Sequence, residues 1–230
     1  METTAEVALS PGPRGLRLPA ASALVGILAA AALWFALFSP ATDLTRTLHG
    51  RYFWVGMTAA TALLGAYTLV VQRRSLARLF RPTWRFIVVG AVHAVLLYAL
   101  SRLGVWIMAT FFGWVMPQIQ AIYATRTQLD ARTIAALLVL VIAPMEEVFW
   151  RGLVLDRLLA VYPARRALAA SIALYCGVHV WALNPMLLVA ALVLGAHWSY
   201  LYLRFGSLVP GLVSHALWDV AIFVVFPVTF

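Results

Sequence analysis

The chain has 230 residues, of which 64% are hydrophobic and 11% charged, and its mean hydropathy is +0.93. A soluble domain carries about 25% charged residues, so this composition excludes an ordinary soluble protein and indicates one compact membrane bundle. The net charge of +9 comes entirely from arginines that cluster between apolar runs, a pattern that indicates orientation in a lipid bilayer rather than binding of nucleic acid.

Residues 1–19 are polar and contain proline and glycine, which predicts a disordered N-terminal tail before a single transmembrane domain at 20–230. The predicted fold is an all-α, polytopic helical bundle of about seven spans, each near or above the roughly 17–20 residues that cross a bilayer. The third run is long, so we interpret it as one span followed by an interfacial or re-entrant piece, and an eighth span stays open. The apolar runs are 20–38, 53–71, 86–116, 133–155, 167–183, 186–203 and 208–229.

The arginine distribution predicts the orientation of these spans. Segment 72–85 carries the strongest basic cluster and is therefore expected on the cytoplasmic side. With seven spans, the N-terminus is also cytoplasmic and the C-terminus lies outside. Segment 117–132 then lies outside too, as an amphipathic cover.

Two adjacent carboxylates, Glu146 and Glu147, lie inside the fourth run. An ionised carboxylate in hydrocarbon costs at least a few kcal/mol, so such residues usually face a polar cavity and mark a functional site. Arg151 follows Glu147 by four residues and is expected to pair with it on one helix face. Pro144 lacks an N–H group, and a kink there would make room for water beside the carboxylates.

Three more ionisable residues occur in the last spans. His179 lies in one of them, and His215 and Asp219 lie four residues apart on one face of another. Depth in the membrane can be calculated from a rise of about 1.5 Å per residue. With the helix of Glu146 included, three helices then carry ionisable groups whose depths differ by about 8 Å at most. Soluble hydrolases use Glu and His to deprotonate water and to protonate a leaving amine. The pattern therefore predicts a hydrolytic site, with its catalytic core in residues 133–229.

Three motifs in this region resemble those of the CPBP intramembrane protease family, which includes the Rce1-like CAAX prenyl endopeptidases. Residues 146–151 (EEVFWR) match its EExxxR motif, and residues 175–179 (YCGVH) are similar to FxxxH, with tyrosine for phenylalanine. Residues 215–219 (HALWD) are similar to HxxxN, with aspartate for asparagine. The resemblance also admits the myxosortase-like bacterial branch, whose enzymes remove C-terminal sorting anchors.

The resemblance implies that Glu146 is the base that activates water, with His179 assisting. The aspartate at 219 departs from the family pattern, because an ionised carboxylate cannot donate a hydrogen bond to an oxyanion. Asp219 is then protonated, orients His215, or helps to bind a cation. The implied catalytic residues are Glu146, His179, His215 and Asp219, and the implied supporting residues are Glu147 and Arg151.

A metal ion is the open alternative to this glutamic-type mechanism. Glu146, His179, His215 and Asp219 could together form a zinc site of nitrogen and oxygen ligands with one open position. The chain contains no HExxH helix, so the spacing does not require zinc, and we expect no cofactor.

The expected function is therefore that of an intramembrane endopeptidase in a bacterial inner membrane. Its substrate would be a membrane-associated protein or peptide cleaved near its C-terminus, and no nucleic acid partner is expected. Two other classes remain open. An ion- or proton-coupled transporter also buries such residues, and an inert membrane immunity or scaffold protein would tolerate the loss of Glu146.

Overall fold

The computed structural model describes residues 20–228, which are helical and contain no strand, so the all-α prediction is confirmed for this part of the chain. The predicted tail at 1–19 lies outside the described residues. The helices are α1 (Ala20–Phe38), α2 (Asp43–Val71), α3 (Leu76–Leu79), α4 (Trp84–Phe111), α5 (Val115–Tyr123), α6 (Ala131–Val161), α7 (Ala164–His179), α8 (Pro185–Phe205) and α9 (Val209–Val225).

Each of the seven predicted apolar runs forms a helix. Helices α1, α2, α4, α6 and α8 are long and apolar enough to cross a membrane, whereas α7 and α9 are shorter. The third run divides as expected, because α4 ends at Phe111 and the short helix α5 follows it.

Helix α2 begins at Asp43, well before the predicted start of its apolar run at 53. Thr42 explains the early start, since it accepts a hydrogen bond from the Thr45 backbone while the Thr45 hydroxyl accepts one from the Thr42 backbone. The polar first turns are thereby capped and helical, and a non-helical backbone conformation at Tyr52 marks where the apolar run begins.

The helix connections meet at two faces of the bundle. On one face, connections 72–83, 162–163 and 206–208 come together: the Leu208 N–H donates to the Leu79 carbonyl at 2.9 Å. We call this the arginine face; its arginines are Arg73, Arg74, Arg78, Arg81, Arg85, Arg157, Arg165, Arg166 and Arg204.

The opposite face contains connections 39–42, 112–130 and 180–184 and the C-terminal segment 226–228. The Asn184 side chain donates to the Gln118 carbonyl at 2.9 Å, the Gln128 side chain to the His49 carbonyl at 2.8 Å, and the Tyr123 hydroxyl to the Ile222 carbonyl at 2.8 Å. The seven longer helices therefore run alternately between the arginine face and the opposite face.

Helix α6 is the most buried of the long helices, since half of the residues in its apolar stretch lie inside the bundle. It begins at the N-cap Asp130, whose carboxylate accepts from the Arg132 and Thr133 backbones at 3.0 Å each. Two π-helical stretches, Leu138–Ile142 and Trp150–Leu155, interrupt its α-helical geometry.

The first π-helical stretch ends directly before Ala143 and Pro144, where the sequence predicts a kink. The Ala143 N–H donates to the Leu138 carbonyl, five residues back, and the α-helix then resumes with Pro144 in its first turn. Proline has no N–H group to donate, so the hydrogen bonding of α6 changes around Pro144.

Candidate functional site

One oxygen of Glu147 joins helices α6 and α9. Arg151 donates to Glu147 Oε1 at 2.9 Å, and the side chains of both residues are 1% exposed. His215 Nδ1 lies 2.9 Å from the same oxygen. The other oxygen, Oε2, approaches α9 so closely that a Cβ atom added at Gly211 would lie 3.1 Å from it. The ion pair expected from the spacing is therefore present, and it also holds a catalytic candidate.

Arg151 extends this network to two more helices. Its second terminal nitrogen donates to the Gly195 carbonyl in α8 at 3.1 Å. The guanidinium lies 4.9 Å from the ring centre of Tyr175 in α7 and 5.5 Å from that of Trp198 in α8. The buried cation is thus compensated by a carboxylate, a carbonyl and two aromatic faces.

His215 lies between two carboxylates. Its Nδ1 contacts Glu147, and its Nε2 is 3.5 Å from Asp219 Oδ2, one helical turn away. The imidazole stacks on Trp198 with ring centres 3.6 Å apart and an angle of 16° between the planes. These contacts fix the ring plane and direct Nε2 towards Asp219.

Glu146 has a different environment from its neighbour in sequence. It is buried, and the Tyr175 hydroxyl donates to its Oε2 at 3.2 Å. Sequence reasoning did not assign a role to Tyr175; the only signal was the tyrosine where the family motif has phenylalanine.

His179 uses both ring nitrogens. Nδ1 lies 2.7 Å from the Tyr175 carbonyl, to which it can only donate, and Nε2 accepts from the indole N–H of Trp34 at 3.2 Å. A neutral imidazole with its proton on Nδ1 satisfies both contacts. Trp34 was missed because it belongs to α1, which carries no motif.

A cavity of about 420 Å³ reaches these side chains. Its remaining lining is mainly apolar, it contains no arginine or lysine, and neither Glu147 nor Arg151 belongs to it, so their ion pair lies behind the cavity wall. The motif residues that line the cavity are Glu146, Tyr175, His179, His215 and Asp219.

The four residues considered for zinc do not form a ligand set. Within residues 20–228, no three His, Cys, Asp or Glu side chains are grouped as metal binding requires. Both nitrogens of His179 are engaged with Tyr175 and Trp34, and those of His215 face Glu147 and Asp219. A zinc ion at this site would require these side chains to exchange partners.

Residues 128–221 match the family model described as type II CAAX prenyl endopeptidase Rce1-like. This interval contains all three motifs and every candidate catalytic residue. No curated protein and no solved structure matches the chain. The resemblance seen in the motifs is thus confirmed for residues 128–221, which are similar to the Rce1-like CAAX-type intramembrane proteases.

Proposed function

We propose that the protein is a glutamic-type intramembrane endopeptidase in which Glu146 activates the attacking water. The observation that carries this proposal is the position of Glu146: its carboxylate is buried, lines the cavity and accepts a hydrogen bond from Tyr175 at one oxygen. We propose that the other oxygen accepts a hydrogen bond from the attacking water. A carboxylate held in this way has the geometry of a general base.

The reaction then follows from the groups around the cavity. Glu146 removes a proton from water, and the water oxygen bonds to the carbonyl carbon of the scissile peptide. The developing oxyanion accepts a hydrogen bond from the His215 imidazole on the cavity wall, whose Nε2 is the less tightly held nitrogen, 3.5 Å from Asp219 Oδ2. Glu146 returns the proton to the leaving nitrogen as the C–N bond breaks.

The remaining side chains support these steps. Glu147 holds His215 in place, and Asp219 orients its Nε2, which is the second of the three roles open to an aspartate at this position. His179 bonds to Trp34 through Nε2, so we propose that it shapes the cavity at rest and assists only when that bond opens.

The proposed substrate is a membrane-associated protein or peptide cleaved near its C-terminus in a bacterial inner membrane. The cavity supports this class because it is largely apolar and is bounded by helices that are apolar enough to lie in lipid. We propose hydrolysis without a metal cofactor, and a myxosortase-like removal of C-terminal anchors is compatible with the same site.

The test is Glu146→Gln in full-length protein reconstituted into liposomes with a library of membrane-anchored peptides. Mass spectrometry of the products should show cleavage reduced by about 10²–10⁴-fold, the typical contribution of a general base. Tyr67→Phe is the matched control, because that hydroxyl bonds to the Ser22 carbonyl outside the cavity.

Undiminished cleavage by Glu146→Gln would reject the mechanism. A transporter or an inert scaffold protein would show no cleavage with either form. Metal analysis and treatment with a chelator test whether the reaction requires a metal. If chelation abolished the activity and zinc restored it, the metal-free mechanism would be rejected in favour of a metal-assisted one.

A further inference from the structure

We infer that substrates enter the cavity from the non-cytoplasmic side of the membrane, so that the bond cut lies at that end of a membrane anchor. This inference rests on the proposed function for its chemistry. Its structural basis is separate, namely the position of the cavity relative to the arginines.

The charge of the two faces differs strongly. Among the described residues, the arginine face has a single acidic residue, Asp156. On the opposite face, Asp43 and Asp130 accompany fewer arginines, which are Arg46, Arg51, Arg102, Arg126 and Arg132. Basic residues that flank membrane helices remain on the cytoplasmic side, so the arginine face is cytoplasmic.

The cavity runs from Glu146 towards the opposite face. The helices line it mainly with the parts that lie nearer to that face. These are the C-terminal parts of α1 and α4 and the N-terminal parts of α2 and α8. The α5 helix, which lies wholly at that face, also lines the cavity. Lining residues nearest to that face are Phe38, His49, Met108, Ile122, Asn184 and Val228.

The arginine face, by contrast, is closed below the site. Arg78 and the Tyr202 hydroxyl both donate to the Asp156 carboxylate, at 2.9 Å and 2.8 Å. Gln72, which directly follows α2, donates to the carbonyl of Gly152, the residue after Arg151, at 2.8 Å. These contacts join α2, α3, α6 and α8, and no cavity-lining residue belongs to them.

The lining also indicates the chemistry of the segment that enters. It includes the carboxylates Glu146 and Asp219 and no arginine or lysine. An acidic side chain beside the scissile bond would therefore lie next to two groups of like charge. The occupant we infer is an apolar segment free of acidic residues at the cleavage point, in a protein already translocated across the membrane.

Accessibility of single cysteines tests the direction of entry. In a Cys176→Ala background, a membrane-impermeant charged methanethiosulfonate is applied to spheroplasts and to inverted vesicles of a bacterial host. Ala121→Cys reports the opposite face, Ala190→Cys the cavity and Ala164→Cys the arginine face. Leu192→Cys is the matched control, because it lies two residues from Ala190 on α8 but is exposed outside the cavity.

We expect Ala121→Cys and Ala190→Cys to react in spheroplasts, Ala164→Cys only in inverted vesicles, and Leu192→Cys in neither preparation. Reaction of Ala190→Cys only in inverted vesicles would overturn the inference. Labelling requires no catalysis, so this failure is distinct from that of the proposed function, which the Glu146→Gln comparison detects.

Discussion

At the scale of single residues, the adjacent glutamates have opposite surroundings. Glu147 bonds to Arg151 and His215 behind the cavity wall, whereas Glu146 faces the cavity and bonds to a phenol. Two carboxylates at adjacent positions therefore differ in surroundings, since one is held in a buried ion pair and the other lines the cavity. Substitutions at the two positions should have different consequences.

Glu147→Gln should destabilise the protein by about 3–5 kcal/mol, because it leaves the buried cation of Arg151 without its counter-charge. Glu146→Gln should leave stability nearly unchanged, since no cation pairs with that carboxylate among the described residues. Thermal unfolding of the two variants in lipid nanodiscs measures the difference. Equal losses of stability would contradict the separation of roles.

Tyr175→Phe restores the phenylalanine of the family motif and removes only the hydroxyl that bonds to Glu146. The loss of one hydrogen bond of about 1–1.5 kcal/mol corresponds to a rate lower by about 10-fold. Initial rates over a range of pH should show both the decrease and a changed profile, because the bond involves the proposed base. Tyr67→Phe should change neither; rates equal to wild type in Tyr175→Phe would assign the phenol to packing alone.

The sequence predicted which residues of the site share a helix face, but not which residues join them from other helices. The spacing from 147 to 151 and from 215 to 219 was sufficient, because i and i+4 positions lie on one helix face. The bond from Trp34 to His179 and the bond shared by Glu147 and His215 connect separate helices. Such contacts depend on how helices pack, which periodicity does not specify.

At the scale of elements, the start of α6 depends on Asp130. The Thr133 hydroxyl, followed by the Thr133 and Arg132 backbone groups, holds the pKa of this carboxyl below its ordinary value of 3.8. A lowered folded-state pKa contributes stability above the ordinary pKa, and this contribution is lost as the pH falls through the folded-state value.

Asp130→Ala should therefore lower the midpoint of thermal unfolding at neutral pH, where the ionised cap is fully formed. The difference from wild type should shrink as the pH falls below about 4, since both proteins then lack an ionised cap. Unfolding in nanodiscs over a pH series measures it. A difference that stays constant down to acid pH would show that ionisation of Asp130 does not matter.

Apolar runs predicted the existence and order of the helices better than their ends. The runs found every long helix, because about 20 apolar residues are needed to cross a bilayer. The early start of α2 was missed since Thr42 and Thr45 cap a polar segment that hydropathy overlooks. The π-helical stretches of α6 were missed too, because the apolar residues at 138–142 fit either geometry.

At the scale of the whole molecule, positive charge is concentrated at one face and the cavity lies towards the other. The sequence predicted the charged face from segment 72–85 and a cavity beside the carboxylates. It did not predict the size or direction of that cavity, because these depend on how the helices pack. The arginine face should interact with anionic headgroups, each basic side chain near the surface contributing about 1 kcal/mol.

The protein should accordingly unfold at a higher temperature in nanodiscs of anionic lipid than in nanodiscs of zwitterionic lipid with the same acyl chains. The difference should diminish at about 1 M salt, where the screening length falls to about 3 Å. A difference that is absent, or that salt does not reduce, would argue against headgroup binding by these arginines.

The π-helical stretch Leu138–Ile142 has a consequence for how the chain can change length. A π turn holds one residue more than the α turn that it replaces, so removing a residue there would yield ordinary α-helix and keep both flanks in phase. A deletion within residues 143–145 would instead rotate Glu146 by about 100° relative to the preceding helix. A residue can therefore be lost before Pro144 without changing the direction in which Glu146 and Glu147 point.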